Sequence, residues 1–140
     1  MGEKMIAIIC VDDNLGMMFN NRRQSQDKIL RERIKEISKN SKLLMNSYSI
    51  KQFSEEDKEN IIEDENFAIN AQKGNFAFFE NISPKEYEKD IEKIILYHWN
   101  RNYPADFYFD IDLKNGWKLN DTYDFEGYSH EKITEEVYIK

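Results

Sequence analysis

The chain has 140 residues, 27 of them acidic and 20 basic, for a formal net charge of −7. That length fits one domain, residues 1–140, with a core of its own, and 14% aromatic residues argue against disorder. The acidic balance argues against a nucleic-acid binder, which needs clustered Lys and Arg, and no apolar run reaches the ~20 residues of a membrane span. A single cysteine, Cys10, excludes an internal disulfide. The opening residues carry no signal-peptide pattern, so a soluble, cytoplasmic protein is expected.

Met5 to Val11 is a continuous run rich in Ile and Val, the pattern of a strand buried on both faces. Asp12-Asp13-Asn14-Leu15-Gly16 ends it with turn residues, Gly16 being expected at a positive φ. An irregular polar segment runs on through Asn20-Asn21-Arg22-Arg23-Gln24-Ser25-Gln26. Residues 26–39 then space Ile29/Leu30, Ile34 and Ile37 along one helical face. Ser25 is the expected N-cap, with Asp27 in the first turn where the helix dipole favours a carboxylate. Leu43-Leu44-Met45 reads as a second strand, followed by a short helix capped by Ser47 or Ser49 and carrying Ile50 and Phe53. Residues 54–60 read as a charged surface turn and 60–62 as a third strand. Phe67 to Gln72 makes one helical turn stopped by Gly74, and Phe76-Ala77-Phe78-Phe79 is a fourth, central strand.

Ser83-Pro84-Lys85-Glu86 has the pattern of a capping box with proline at the first helical position. It opens a helix of about two turns with Tyr87 and Ile91 on the buried stripe. Residues 94–99 form a fifth strand, 106–113 alternate in their second half, and Trp117-Lys118-Leu119 follows Gly116. Residues 132–139 alternate again and close the chain as a strand. Helices between strands early and strands alone late make an α/β fold: a mainly parallel sheet flanked by helices, with a C-terminal antiparallel hairpin.

That order of elements, together with several local motifs, resembles dihydrofolate reductase over nearly the whole chain. Residues 6–16 are similar to the family's first strand and the turn ending in glycine. Asp27 falls within a residue or two of the carboxylate that opens its first helix, and Leu43-Leu44-Met45 resembles the strand before its Gly-Arg-x-Thr turn. Residues 94–99, the Asp106-Phe-Tyr-Phe109 stretch with Asp112 and Trp117, and 129–138 resemble later parts of the family. The resemblance implies a ligand cleft walled by Ala7, by the loop with Asn20, Asn21, Arg22 and Arg23, and by Asp27 and Tyr97, the last standing where the family has a threonine. Asp27 would be the catalytic group of any retained chemistry, pairing with the N–H edge of a planar heterocycle.

The family's grips on the phosphates of NADPH are not matched. Asn46-Ser47-Tyr48-Ser49 replaces Gly-Arg-x-Thr, whose backbone N–H groups and arginine take the anion. Phe79-Glu80-Asn81 replaces a Gly-Gly pair and brings a carboxylate where a pyrophosphate would lie. Arg22-Arg23-Gln24 replaces Leu-Pro-Trp. The expectation is a divergent protein that binds a small planar or nucleotide-like ligand, or a protein, without NADPH or another cofactor.

Three other functions fit parts of the sequence. An active divergent reductase would use Asp27 as a proton relay. An Mg²⁺-dependent nuclease would use Asp106, Asp110 and Asp112, which share parity and would share one face of an extended strand. A protein-binding adaptor would present the aromatics Tyr103, Phe107 and Tyr108.

Each candidate also has a plain structural use. Asp27 can serve the helix dipole alone, Arg22 and Arg23 can be solvated, and the three aspartates can line a wet strand face. His98 and His130 are the only histidines, expected as structural or surface residues. Cys10 is expected as a core thiol, and Ser129 lacks the Gly-x-Ser-x-Gly context of a nucleophile.

Overall fold

The computed structural model describes residues 4–53 and 59–140. The charged turn expected at 54–60 therefore lies mostly outside the described residues. In chain order the elements are β1 (Met5–Val11), β2 (Gly16–Phe19), β3 (Arg22–Arg23), α1 (Lys28–Ser38), β4 (Leu43–Met45) and α2 (Ser47–Ile50). A 3-10 turn (Lys51–Phe53), β5 (Ile61–Glu63), α3 (Phe67–Asn70), β6 (Phe76–Phe79) and a 3-10 helix (Pro84–Asp90) follow. The chain ends with β7 (Ile91–His98), β8 (Phe107–Tyr108), β9 (Lys118–Phe125) and β10 (Ile133–Ile139).

Seven strands form one sheet in the order β5-β4-β6-β1-β7-β10-β9. The first five run parallel, and β10 and β9 are antiparallel additions at one edge. β1 lies at the centre, pairing with β6 (Ala7 opposite Ala77) and with β7 (Ala7 opposite Ile94). Alternate residues of β1 enter different cores. Met5, Ala7, Ile9 and Val11 pack with Met17, Met18, Phe67 and Trp117 on one face. Ile8 packs with Leu30 and Ile34 of α1 and with Phe53 and Phe78 on the other. This is why β1 carries no polar residue: both sides of a central parallel strand are covered.

The expected fold class holds, and several local expectations do not. The polar segment after Gly16 is a hairpin: β2 and β3 pair Phe19 with Arg22 across a two-residue turn. Asn20 (φ 55°) and Asn21 (φ 63°) both adopt the left-handed conformation that such a tight turn demands. β8 joins β2 on its other side. Gly16 does not hold the positive φ expected of it; Leu15 does, at 66°. Gly16 is needed for space, since a Cβ there would stand 2.5 Å from Ala105 Cβ and 2.6 Å from Gln24 Nε2.

α1 is capped by Asp27, which accepts from the N–H groups of Ile29 and Leu30, and not by Ser25. Asn46, and neither Ser47 nor Ser49, caps α2 through the Ser49 N–H. Ser83 makes no capping bond; its hydroxyl bonds the Asp110 carboxylate instead. Ile91 is the first residue of β7, facing Met5, and not part of a helical stripe. The stretch 106–113 is extended only at Phe107–Tyr108, and residues 112–115 form a turn. Among the described residues, no helix is long and apolar enough to cross a membrane.

Candidate functional site

Ligands of open α/β sheets bind beyond the carboxyl ends of the strands. Here the ends of β1, β6 and β7 and the start of α1 converge on a cleft lined by Cys10, Ser25, Arg31, Glu80 and Trp99 among others. Side chains fill it to a free volume of about 20 Å³, room for about one water.

At the β6 end, Arg23 and Glu80 make a two-pronged ion pair, Nε to Oε2 at 2.8 Å and Nη2 to Oε1 at 3.0 Å. Glu80 also accepts from Ser49 Oγ (2.8 Å) and Gln52 Nε2 (2.9 Å). The Arg23 guanidinium lies 4.5 Å from the centre of the Tyr48 ring, and the Arg23 N–H donates to the Tyr48 hydroxyl. Burial and the Glu80 charge raise the Cys10 thiol well above its ordinary pKa, with Arg23 opposing, so Cys10 is a protonated, unreactive thiol.

At the α1 end, Asp27 is 2% exposed and takes three donors on each oxygen. Oδ1 accepts from the N–H groups of Ile29, Leu30 and Tyr128. Oδ2 accepts from Ser129 N–H, Ser129 Oγ and His130 Nδ1, the last at 2.8 Å. Burial alone would raise the Asp27 pKa; the Tyr128 N–H, His130, Ser129 and Leu30 together outweigh it and hold the group well below the usual carboxylate range. Gly127 lets the 126–130 loop close over it, since a Cβ there would come within 2.7 Å of Asp27 Oδ2.

Because ionised Asp27 can only accept, the proton on His130 sits at Nδ1 in the neutral ring. Nε2 is then the acceptor, 2.9 Å from Ser25 Oγ and 3.2 Å from the Tyr103 hydroxyl. Trp99 stacks on the imidazole at 4.6 Å between centres and 27° between planes. Among the described residues, two buried polar atoms on the cleft wall have no hydrogen-bond partner: Gln24 Oε1 and Arg31 Nε.

Nearby, Asp12 is wholly buried and secures the loops around the cleft. It accepts from the N–H groups of Asn14, Gly16 and Tyr103 and from Gln24 Nε2. Outside, past the end of β6, an open groove of about 320 Å³ runs between Met18, Asn21, Asn81, Asp106 and Phe107. Asn81 Oδ1 accepts from Asn46 Nδ2, leaving the Asn81 amide nitrogen for another partner. Asp106 spends Oδ2 on the Asn20 N–H. A wider depression of about 590 Å³ lies between the charged side of α1 and residues 59–60. It sits at the amino ends of β4 and β5, away from the groups just described.

The residues singled out in the sequence scatter. Ala7 is fully buried in β1, and Tyr97 is fully buried on the α1 side of the sheet, donating to Glu135 Oε1 at 2.8 Å. Burial and the Glu135 charge raise the Tyr97 pKa. Arg33 holds the same Glu135 by two bonds of 2.8 and 2.9 Å. Arg22 is exposed on β3 and Asn21 lines the groove. Asp106, Asp110 and Asp112 are all exposed, and each is engaged by a different partner. Asp110 binds Ser83 and the Lys85 N–H, and Asp112 the Lys114 N–H. Among the described residues no three His, Cys, Asp or Glu come together to hold a metal ion.

The resemblance would place phosphate grips for NADPH at the start of α2 and after β6. The Ser47 N–H of α2 donates to Glu65 Oε1 at 2.7 Å and the Ser49 N–H to Asn46 Oδ1 at 3.0 Å. Two of the three first-turn N–H groups of α2 are thus engaged within the chain, one of them on a carboxylate. Glu80, after β6, is paired with Arg23.

No protein-family model matches the sequence, and no curated protein matches it significantly. Among solved structures it is similar to dihydrofolate reductase from Enterococcus faecalis, solved with NADP(H) and RAB-propyl, at a TM-score of 0.69 and 11% identity. The superposition covers 97% of this chain and 95% of that one. At such low identity the likeness speaks for the fold, and the chain has a divergent dihydrofolate-reductase-like fold.

Proposed function

We propose that the chain binds a small, planar, uncharged ligand such as a nucleoside or a pterin in the groove bounded by Met18, Asn21, Asn81, Asp106 and Phe107, without using NADPH. The observation that carries this reading is the groove's chemistry. Apolar Met18 and Phe107 offer a surface for a ring. The Asn81 amide nitrogen, the Asn21 side chain and Asp106 Oδ1 offer edge hydrogen bonds in both directions. Asp106 disfavours a phosphate there.

Of the residues expected to bind ligand, Asn21 makes direct contact and Asn20 holds Asp106 in place. Arg22 flanks the opening from β3. Arg23 and Asp27 hold the neighbouring cleft shut, and Ala7 and Tyr97 act as core residues. Retained reduction with Asp27 as proton relay would require Asp27 to give up its low-pKa, fully bonded state.

Thermal melting against nucleosides, their 5′-phosphates, pterins and NADPH tests the proposal. A ligand at ~100 times its dissociation constant adds about 2.7 kcal/mol, a shift of several degrees. Nucleosides or pterins should shift the melt, their phosphates less, and Asn81→Leu should abolish the shift. A larger shift with NADPH than with any nucleoside would overturn the reading.

A further inference from the structure

We propose that Ser25, His130 and Asp27 form a hydrolytic site for small carboxylic esters, with Ser25 Oγ as nucleophile. This goes beyond ligand binding in the open groove and does not rest on it.

The contacts run in one direction. Asp27 fixes Nδ1–H of His130 at 2.8 Å, and the free Nε2 lone pair faces Ser25 Oγ at 2.9 Å. A carboxylate that sets the tautomer and a bare nitrogen that takes the hydroxyl proton are the working parts of a serine hydrolase. Trp99 stacked on one face and Gly127 packed under the loop keep the imidazole and carboxylate in place. Ser25 is half-buried and lines the cleft, so its Oγ is at the wall rather than deep in the core. The Tyr103 hydroxyl is the other neighbour of Nε2, but at 3.2 Å it is the longer contact.

A second observation points to an absent ligand. Arg31 Nε and Gln24 Oε1 are buried without hydrogen-bond partners, and both residues line the cleft with Ser25. Buried polar atoms are rarely left unpaired. A donor in the same cleft wall as a nucleophile can serve an oxyanion, and an acceptor there can hold an attacking water. Met17, Leu30 and Ile34 supply apolar wall, and the free space of about 20 Å³ holds about one water, so a small ester reaches Ser25 Oγ only by displacing side chains of that wall.

In the reaction, Ser25 Oγ bonds to the ester carbonyl carbon as its proton passes to His130 Nε2, and Arg31 Nε–H receives the oxyanion. The bond from that carbon to the alkoxy oxygen then breaks, and the leaving oxygen takes the proton from Nε2 and departs as an alcohol. Water adds to the acyl-serine, giving its proton to Nε2. The bond to Ser25 Oγ breaks, Oγ recovers that proton, and the carboxylic acid leaves. No oxidant or second substrate besides water is consumed.

The full chain would be treated with a fluorophosphonate probe and the adduct mapped by peptide mass spectrometry, alongside turnover of p-nitrophenyl acetate. The expected result is one adduct on Ser25. Turnover should fall about 10³-fold or more in Ser25→Ala. Arg31→Met should lower kcat about 10²-fold with little change in KM, the signature of an oxyanion donor. Ser25→Ala removes one hydroxyl, and an unchanged melting temperature would show that it folds; if it does not, labelling of the wild-type chain decides. No adduct on Ser25, or ester turnover that survives in folded Ser25→Ala, would overturn the proposal.

Discussion

The two ends of the cleft are both built on a buried carboxylate, and they are finished differently. Glu80 receives two bonds from Arg23, one from Ser49 and one from Gln52, and neither Arg23 nor Glu80 leaves a buried polar atom unpartnered. Around Asp27 the carboxylate is equally full, but the wall beside it keeps an unpaired donor on Arg31 and an unpaired acceptor on Gln24. A closed network of charges fixes shape. An open one, where desolvated atoms lack partners, holds back interactions that a bound molecule can complete. The same fold position thus carries a plug at one end and a vacancy in hydrogen bonding at the other.

The contrast can be broken most forcefully at Asp27. Asp27→Asn puts an amide N–H₂ among donors and removes the charge that caps α1 and orients His130. Urea unfolding should show a loss of about 3 kcal/mol or more. A loss under about 1 kcal/mol would mean that the loop at 126–130 does not depend on the carboxylate.

Glu80→Gln should cost less, about 2 kcal/mol, because Arg23 keeps 19% side-chain exposure and some hydration. Adding Arg23→Met should recover part of that loss, with a coupling of about 1 kcal/mol or more in the double-mutant cycle. Strict additivity would show that the plug is not a pair.

The gentlest test is acid. Asp27 has a folded pKa below its unfolded one, so its stabilisation is present above the unfolded value. It is lost as pH falls below about 4 toward the folded value. Stability should therefore drop more steeply in that range for the native chain than for Asp27→Asn. Parallel curves would contradict the bonding described for Asp27.

Much of the fold was legible because one-dimensional patterns set it. The run at 5–11 could satisfy only a strand covered on both faces, and Leu30 and Ile34 could face only a sheet. The cap of α1 was not decided locally: Ser25 and Asp27 are both good caps two residues apart. His130, 103 positions away from Asp27, takes part in selecting Asp27 and binds Ser25 itself. The Asn20-Asn21 turn is a weak signal in the sequence because its second strand is only the two residues Arg22–Arg23, and the other partner of β2, Phe107–Tyr108, lies far along the chain. At 106–112 parity gave the right face, since Asp106, Asp110 and Asp112 are exposed while Phe109 and Ile111 between them are buried, but it could not give the partners, because Asn20, Ser83 and Lys114 each take a different aspartate. The partner of Arg23 lies 57 residues on at Glu80, and no spacing rule joins them.

The central place of β1 also governs how the chain is made. Its sheet partners end at Phe79 and His98, so β1 has neither neighbour until the chain has been made as far as β6 and β7. Until then Met5–Val11 is an unpaired, wholly apolar segment, open to chaperones and to association with other nascent chains. Each contact that completes the sheet spans many residues, and the loop closure it demands makes assembly slow. Once β7 is made, both sides of β1 can close.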